Sequence, residues 1–274
     1  MNVLPGWRGT QSAPKQSGQL WSVHPDWFMV DAANKRMQPC KSWYNFLSPH
    51  HPEAREHLKR VFAEVAGNYK IDGIHLDYFR FPSDYPANQV YKKVDAAQLR
   101  KHKDFSYDQA ALEQFRKSTG KRPSEAPDAW DRFRRESLTT LLCDIRSVVH
   151  KERPGLVLSC AVIADPDKGR DMYFQDSTHW LTTNLLDLVF PMNYHKNTFD
   201  AYLTKYCGKV GEQWTGRVAA GISLDHPAKE LRRQIALTRE RRLAGVALFA
   251  YSSIFKNHKP LPAATSVKEI LNAR

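Results

Sequence analysis

The chain has 274 residues, of which 42% are hydrophobic and 11% aromatic, with 41 Lys+Arg against 29 Asp+Glu for a formal charge of +12. That much apolar side chain can bury a sizeable core, and no apolar run approaches the roughly 20 residues of a bilayer-spanning helix. The positive excess is spread over segments such as Arg232-Arg233 and Arg239–Arg242; with no basic stripe interleaved with stacking aromatics, a nucleic-acid partner is not expected.

In chain order, Met1–Leu4 reads as the stub of a strand, and the opening Met-Asn-Val-Leu-Pro-Gly-Trp lacks the charged start and apolar centre of a secretory signal. Residues 5–50, rich in Pro, Gly, Trp and polar residues, read as a long loop. Short apolar runs at 71–79, 156–164, 185–194, 217–224 and 245–251 each suit a buried parallel strand. Amphipathic helices are expected at 52–68, 129–151, 198–209 and 227–243, with Pro52 and Pro227 suited to first helical turns. The polar stretch 83–128 reads as a partly helical lid. Cys143 and Cys160 sit in apolar patterns that predict burial, and a Cys40–Cys207 disulfide is left open. The four cysteines show no metal-ligand spacing, so no metal is expected.

The alternation of strand and helix predicts an α/β fold with a parallel sheet. No Gly-x-Gly-x-x-Gly follows any strand, which speaks against an open nucleotide-binding sheet and for no cofactor. Polar and aromatic residues gather instead at C-terminal strand ends, where a (β/α)8 TIM-type barrel builds its site. Five strands and a stub correspond to strands 4–8 plus the end of strand 3, so the chain reads as one partial barrel domain over 1–274, with excursions at 5–50 and 83–128. The missing strands would be encoded upstream or supplied by a partner chain.

The segment Asp72-Gly-Ile-His-Leu-Asp-Tyr-Phe-Arg-Phe-Pro82 carries the chemistry. Side chains alternate along a strand, so Ile74 and Leu76 face the helices while Gly73, His75 and Asp77 share the inward face. A carboxylate at the strand mouth beside Tyr78 and Arg80 is a catalytic candidate; the competing reading is an ion pair with Arg80 or another base. Glycoside hydrolysis uses two carboxyl groups, about 5 Å apart for retention and about 6.5–9.5 Å for inversion. Asp165 and Asp225, each just past another strand, qualify as the second, with Asp165 slightly ahead, although both also suit turns or helix caps. Asn193, Tyr194 and His195 at the end of the 185–194 strand, with His75, Tyr78, Arg80 and Tyr251, are the expected substrate-binding groups. Trp7, Trp27, Trp43 and Trp180 are further stacking candidates.

These residues resemble the glycosyl-hydrolase-like 10 family of bacterial envelope proteins. The matching pieces are Asn2–Leu4, His24–Trp27, Asn45–Pro49 followed by Glu53 and Arg55, Asp72–Pro82, Phe190–Tyr194 and Gly245–Phe249. The resemblance implies a (β/α)8 barrel whose fourth strand carries Asp77, a polysaccharide substrate of peptidoglycan type or another anionic glycan, and a periplasmic or extracellular location. The strand is also similar to that of family 18 chitinases, but Phe79 stands where they carry their acid/base Glu, so their usual mechanism is not available. The expected activity is therefore glycosidase action by carboxylates. The alternatives are a non-catalytic glycan-binding protein on a degenerate barrel and a polyanion binder driven by net charge. The last would be held on heparin at low salt, released at moderate salt, and indifferent to sugar.

Overall fold

A computed structural model describes residues 1–9, 14–40, 43–261, 264 and 267–270. The chain divides into two compact units, one of Met1–Val157 with Arg170–Gln175, the other of Leu158–Gly169 with Asp176–Arg274.

In the first unit Met1–Leu4 runs parallel to the segment that carries Asp77. Asn2 bridges Asp77, the Val3 amide donates to the Asp77 carbonyl at 2.9 Å, and the Asp77 amide donates to the Met1 carbonyl at 2.8 Å. The chain then continues into β1 (Pro5–Gly9). After a short helix, α1 (Leu20–Val23), it returns as β2 (Trp43–Phe46), which pairs antiparallel with β1 and sets Trp7 opposite Asn45 and Arg8 opposite Tyr44. The expectation of a plain loop over 5–50 is thus corrected. The aromatic-rich halves of this ribbon do suit strands, but more than thirty residues separate them, far beyond the two- to five-residue loops that announce a hairpin.

Helix α2 (Pro52–Asn68) begins on a proline that needs no amide partner there, and it buries Ala54, Leu58, Phe62 and Ala66 at four-residue spacing. That helix packs against the long helix of residues 127–152. Strand β3 (Gly73–Leu76) alternates as expected, with Ile74 and Leu76 buried and Gly73 and His75 on the open face. The Val157 amide donates to the Asp72 carbonyl at 3.1 Å, and a Cβ on Gly73 would lie 2.8 Å from the Val157 carbonyl oxygen, so this edge tolerates only glycine.

The stretch 83–128 is partly helical. It holds α3 (Ala87–Val90), α4 (Ala96–Lys101) capped by Asp95, and α5 (Gln109–Thr119) capped by Asp108 and closed by Gly120 in the left-handed region. The long helix α6 (Pro127–Glu152) follows and buries Leu138, Leu141, Leu142, Ile145 and Val149. From it the buried Arg134 reaches Asp104, the Phe105 carbonyl and Asp131, which ties the excursion to its helix.

The second unit is a run of parallel strands in sequence order. Strand β4 (Val157–Val162) pairs β5 (Leu188–Pro191), β5 meets β6 (Ala219–Ser223) through the Val189–Val218 and Met192–Gly221 bridges, and β6 pairs β7 (Gly245–Phe249). Between them lie α7 (Pro166–Met172), α8 (Ser177–Thr182), α9 (Phe199–Val210) and α10 (Ala228–Glu240). Phe199, Leu203, Ala220, Ile222, Leu231 and Ile235 form its core. Sequential order without reversal is the progression of a barrel rather than of a doubly wound sheet. Among the described residues, however, the strands form separate ladders and no closed cylinder. Among the described residues no cysteine is in a disulfide, and Cys143 is exposed rather than buried, because it sits on the solvent side of α6.

Gly221 packs its backbone against β5, where a Cβ would fall 2.7 Å from the Pro191 carbonyl oxygen. Gly221→Ala is expected to lower stability by about 1–3 kcal/mol, the usual cost of overpacking. The urea midpoint is the measurement, and an unchanged midpoint would refute so close an approach.

Candidate active site

At the end of β3 the chain makes a sharp turn. Tyr78 takes φ +51°, in the left-handed region that a bulky side chain seldom adopts, and its amide donates to Oδ1 of Asp77 at 2.8 Å. The turn sends Phe79 and Phe81 into the core, where the Phe79 carbonyl accepts from Nε2 of Gln175 at 3.0 Å and the Phe81 amide donates to the Tyr173 carbonyl at 3.0 Å. Asp77 is thereby left half-buried with its carboxylate positioned by main chain. It forms no ion pair among the described residues, so the competing pairing with Arg80 is not made.

Arg80 is 7% exposed, and its guanidinium lies 4.4 Å from the Tyr78 ring centroid and 5.8 Å from that of Tyr173. Its Nε and Nη1 are buried without an acceptor. The Tyr44 ring of β2 packs on Tyr78 at 4.5 Å, and Arg8 of β1 lies 5.3 Å from the Tyr44 ring. Burial pushes the Tyr78 hydroxyl above its ordinary pKa, with Tyr44, Asp77 and Asp84 adding to the rise and Arg80 opposing it. His75 titrates below the ordinary imidazole range, chiefly from desolvation and then from the Met1 ammonium, with Asp77 pulling the other way. Arg8, Tyr44 and Tyr173 were not legible here, since only the ribbon and the 170–175 segment bring them to the Tyr78–Arg80 turn.

The remaining candidates stand in the second unit. Oδ1 of Asp165 accepts from the Asp167 and Lys168 amides at 3.1 and 3.4 Å and from Nζ of Lys205 at 2.6 Å, so this one oxygen caps the α7 turn and holds a lysine. Asp225 is exposed and accepts from the Ser253 hydroxyl at 3.0 Å. Asn193 is buried and donates through Nδ2 to the Phe199 carbonyl at 2.8 Å, fixing the loop into α9, while its Oδ1 lacks a partner. His195 is exposed, and its carbonyl accepts from the Thr198 amide. Two aromatic stacks stand near these strand ends, Tyr194 on Phe249 at 5.1 Å and Tyr251 on Phe255 at 4.6 Å, with Phe249 and Tyr251 more than half exposed. Both phenylalanines were missed as isolated hydrophobes. Of the tryptophans, Trp27 and Trp180 are core, whereas Trp7 and Trp43 are partly open.

Among the described residues no group of three His, Cys, Asp or Glu is arranged to hold a metal ion, and no helix is long and apolar enough to cross a membrane. A cleft of about 620 Å³ in the first unit contains none of the expected site residues; it is lined by His50, Arg55, Gln114, Phe133, Glu136 and Asp144 among others.

The model of the family described as glycosyl hydrolase-like 10 matches residues 1–222. The chain belongs to that family. It is also 24% identical over 264 residues to the glycosyl hydrolase YngK of Bacillus subtilis, covering 85% of this chain and 45% of that protein, so it spans about half the length of this curated relative. Among solved structures it resembles the PgaB (BpsB) glycoside hydrolase domain of Bordetella bronchiseptica, with a TM-score of 0.62 and 14% identity over 100% of this chain and 74% of that one. It likewise resembles the catalytic domain of a β-amylase from Paenibacillus polymyxa, with a TM-score of 0.64 and 12% identity over 99% of this chain and 80% of that one. At such identities the likeness is one of fold, and for this member of the glycosyl hydrolase-like 10 family activity has to be argued from the site.

Burial also leaves a pH signature. His50, 2% exposed and stacked on Phe133 at 4.5 Å, is pushed down to about 3 by desolvation, with Arg55 and Arg134 adding to the shift. Its folded pKa lies below the unfolded value of about 6.5, so its contribution to stability is full above that value and drains as pH falls towards 3. His50→Leu should flatten the loss of urea resistance between pH 6.5 and 4; equal slopes for wild type and variant would exclude His50 as the cause.

Proposed function

We propose that the chain is a glycoside hydrolase in which Asp77 is the leading catalytic carboxylate, acting as nucleophile or general base on a polysaccharide. The observation that carries this reading is a half-buried carboxylate at the C-terminal end of a parallel strand, oriented by a main-chain amide and paired with no cation among the described residues. Family membership and the hydrolase folds it resembles support the same chemistry. Carboxylate pairs divide the work between a nucleophile or base and an acid. The partner acid is assigned to Asp165 or Asp225, the two other carboxylates read from the sequence; Asp165 holds Lys205 and the α7 turn, whereas Asp225 accepts from the Ser253 hydroxyl. His75, Tyr78, Arg80, Asn193, Tyr194, His195 and Tyr251 are assigned to substrate binding or its support. We further assign the substrate to peptidoglycan-type or other anionic glycans and the protein's place to the periplasm or cell exterior, both on family grounds and, for the glycan, on the +12 charge.

Asp77→Asn keeps size and the acceptor for the Tyr78 amide while removing the charge. It is expected to cut reducing-end release by about 10³-fold or more, on the order of 4 kcal/mol of transition-state stabilisation, with an unchanged circular dichroism spectrum. Undiminished turnover would reject the assignment. The exposed Tyr194–Phe249 and Tyr251–Phe255 stacks favour a second reading, a glycan-binding protein without turnover. Under it, glycan retention would persist in Asp77→Asn and no reducing ends would appear in the wild type.

A further inference from the structure

The stretch 91–104 ties up its acids and leaves its cations to solvent. Lys92, Lys93, Arg100, Lys101 and Lys103 are exposed, and so is Lys35, whose ammonium lies over the Tyr91 ring at 5.6 Å. None of these six cations forms an ion pair among the described residues. The acids around them are engaged elsewhere. Asp31 is buried, pairs with Nδ1 of His102 at 2.7 Å and accepts from the Ala33 and Lys35 amides; Asp104 is bound by Arg134 and the Tyr107 hydroxyl; Asp95 caps the Gln98 amide of α4 at 2.8 Å. The same contacts gather the cations. Tyr91 stacks on His102 at 3.7 Å, and the Ala32 amide donates to the Lys101 and Asp104 carbonyls at 3.1 and 3.0 Å, so Lys35, Lys92, Lys93 and residues 100–103 lie about one buried Asp31–His102 anchor.

Like charges gathered in this way repel one another, and packing gives no reason for the arrangement, since α4 buries none of its residues. The chemistry of the cations says what they suit. Five of the six are lysines, compact charges on flexible stems, which fit a diffuse anionic layer, whereas recognition of a single anionic group favours the fixed arginine fork. Nucleic acid would need open rings for its bases, and the ring at the centre of the patch, Tyr91, is already taken by His102 and Lys35. Clusters of about four to eight Lys and Arg on a surface helix are the footprint of contact with acidic lipid headgroups. We infer that this patch docks the protein peripherally on an anionic phospholipid surface, with α4 lying against the headgroups. Only Val94 and Leu99 stand half-buried among the cations, so charge rather than apolar insertion carries the attachment. The inference goes beyond the hydrolytic reading and does not depend on it.

The test is cosedimentation of the full chain with sucrose-loaded vesicles of phosphatidylcholine, alone or mixed in equal parts with phosphatidylglycerol. The mixed vesicles should bind about tenfold more tightly or better, and added salt should release the protein as it screens the charges. Each cation near such a surface contributes about fivefold to binding, so Lys92→Gln with Lys93→Gln, and Arg100→Gln with Lys101→Gln, should each weaken it by about tenfold or more. Lys92→Arg with Lys93→Arg should retain it, because charge alone is required. Lys229→Gln with Arg232→Gln, which removes two exposed charges from α10, should leave it unchanged; an equal loss there would make net charge the cause and overturn the patch. Failure to bind the mixed vesicles, equal binding to phosphatidylcholine alone, or undiminished binding by both patch variants would overturn it as well. Inorganic polyphosphate or a single-stranded oligonucleotide held through the same residues, with no vesicle binding, would give the patch to a soluble polyanion instead.

Discussion

The placement of Asp77 depends on the main chain around it. Its amide and carbonyl are both engaged by Met1–Val3, and its carboxylate accepts from the next amide in the chain. A carboxylate so held needs no counterion to fix its direction, which leaves its charge available for chemistry. The left-handed turn at Tyr78 is the cost of that arrangement. The same turn drives two phenylalanines inward and sets Arg80 against its tyrosines.

Polar groups in this protein fall into two classes. Some buried ones are bonded: Arg134 reaches two aspartates and a carbonyl through Nη1 and Nη2 although its Nε has no partner, Asp31 pairs with His102 at 2.7 Å, and Gln175 bridges back to Phe79. These tie long excursions down and are structural. Arg80 belongs to the other class, along with the Oδ1 of Asn193 and the Nε2 of His50. An unsatisfied group in a folded protein asks for an explanation, and only Arg80 among these three is charged and in contact with the residue that follows Asp77.

Family membership and fold likeness constrain function only to the level of a hydrolase scaffold, because one architecture carries many chemistries. The distinguishing information is local. Asp165 and Asp225 occupy comparable positions after strands β4 and β6, yet one is bound to Lys205 and backbone amides while the other accepts a single serine hydroxyl. Sequence position alone puts Asp165 slightly ahead.

The order of β3 to β7 with their helices and the parallel character of these strands were legible from the sequence, because two-residue and 3.6-residue periodicities report which face a local segment buries. Helix α2 was legible to the residue, since Pro52 marks its start and the stripe Ala54–Leu58–Phe62–Ala66 its buried face. Partnerships between distant segments have no such local record. The pairing of β1 with β2, the approach of Arg8, Tyr44 and Tyr173 to the Asp77 turn, the capture of Asp165 by Lys205 and the exposure of Cys143 were decided only by tertiary structure. Each depends on which of several compatible neighbours a side chain meets once the backbone has closed around the core.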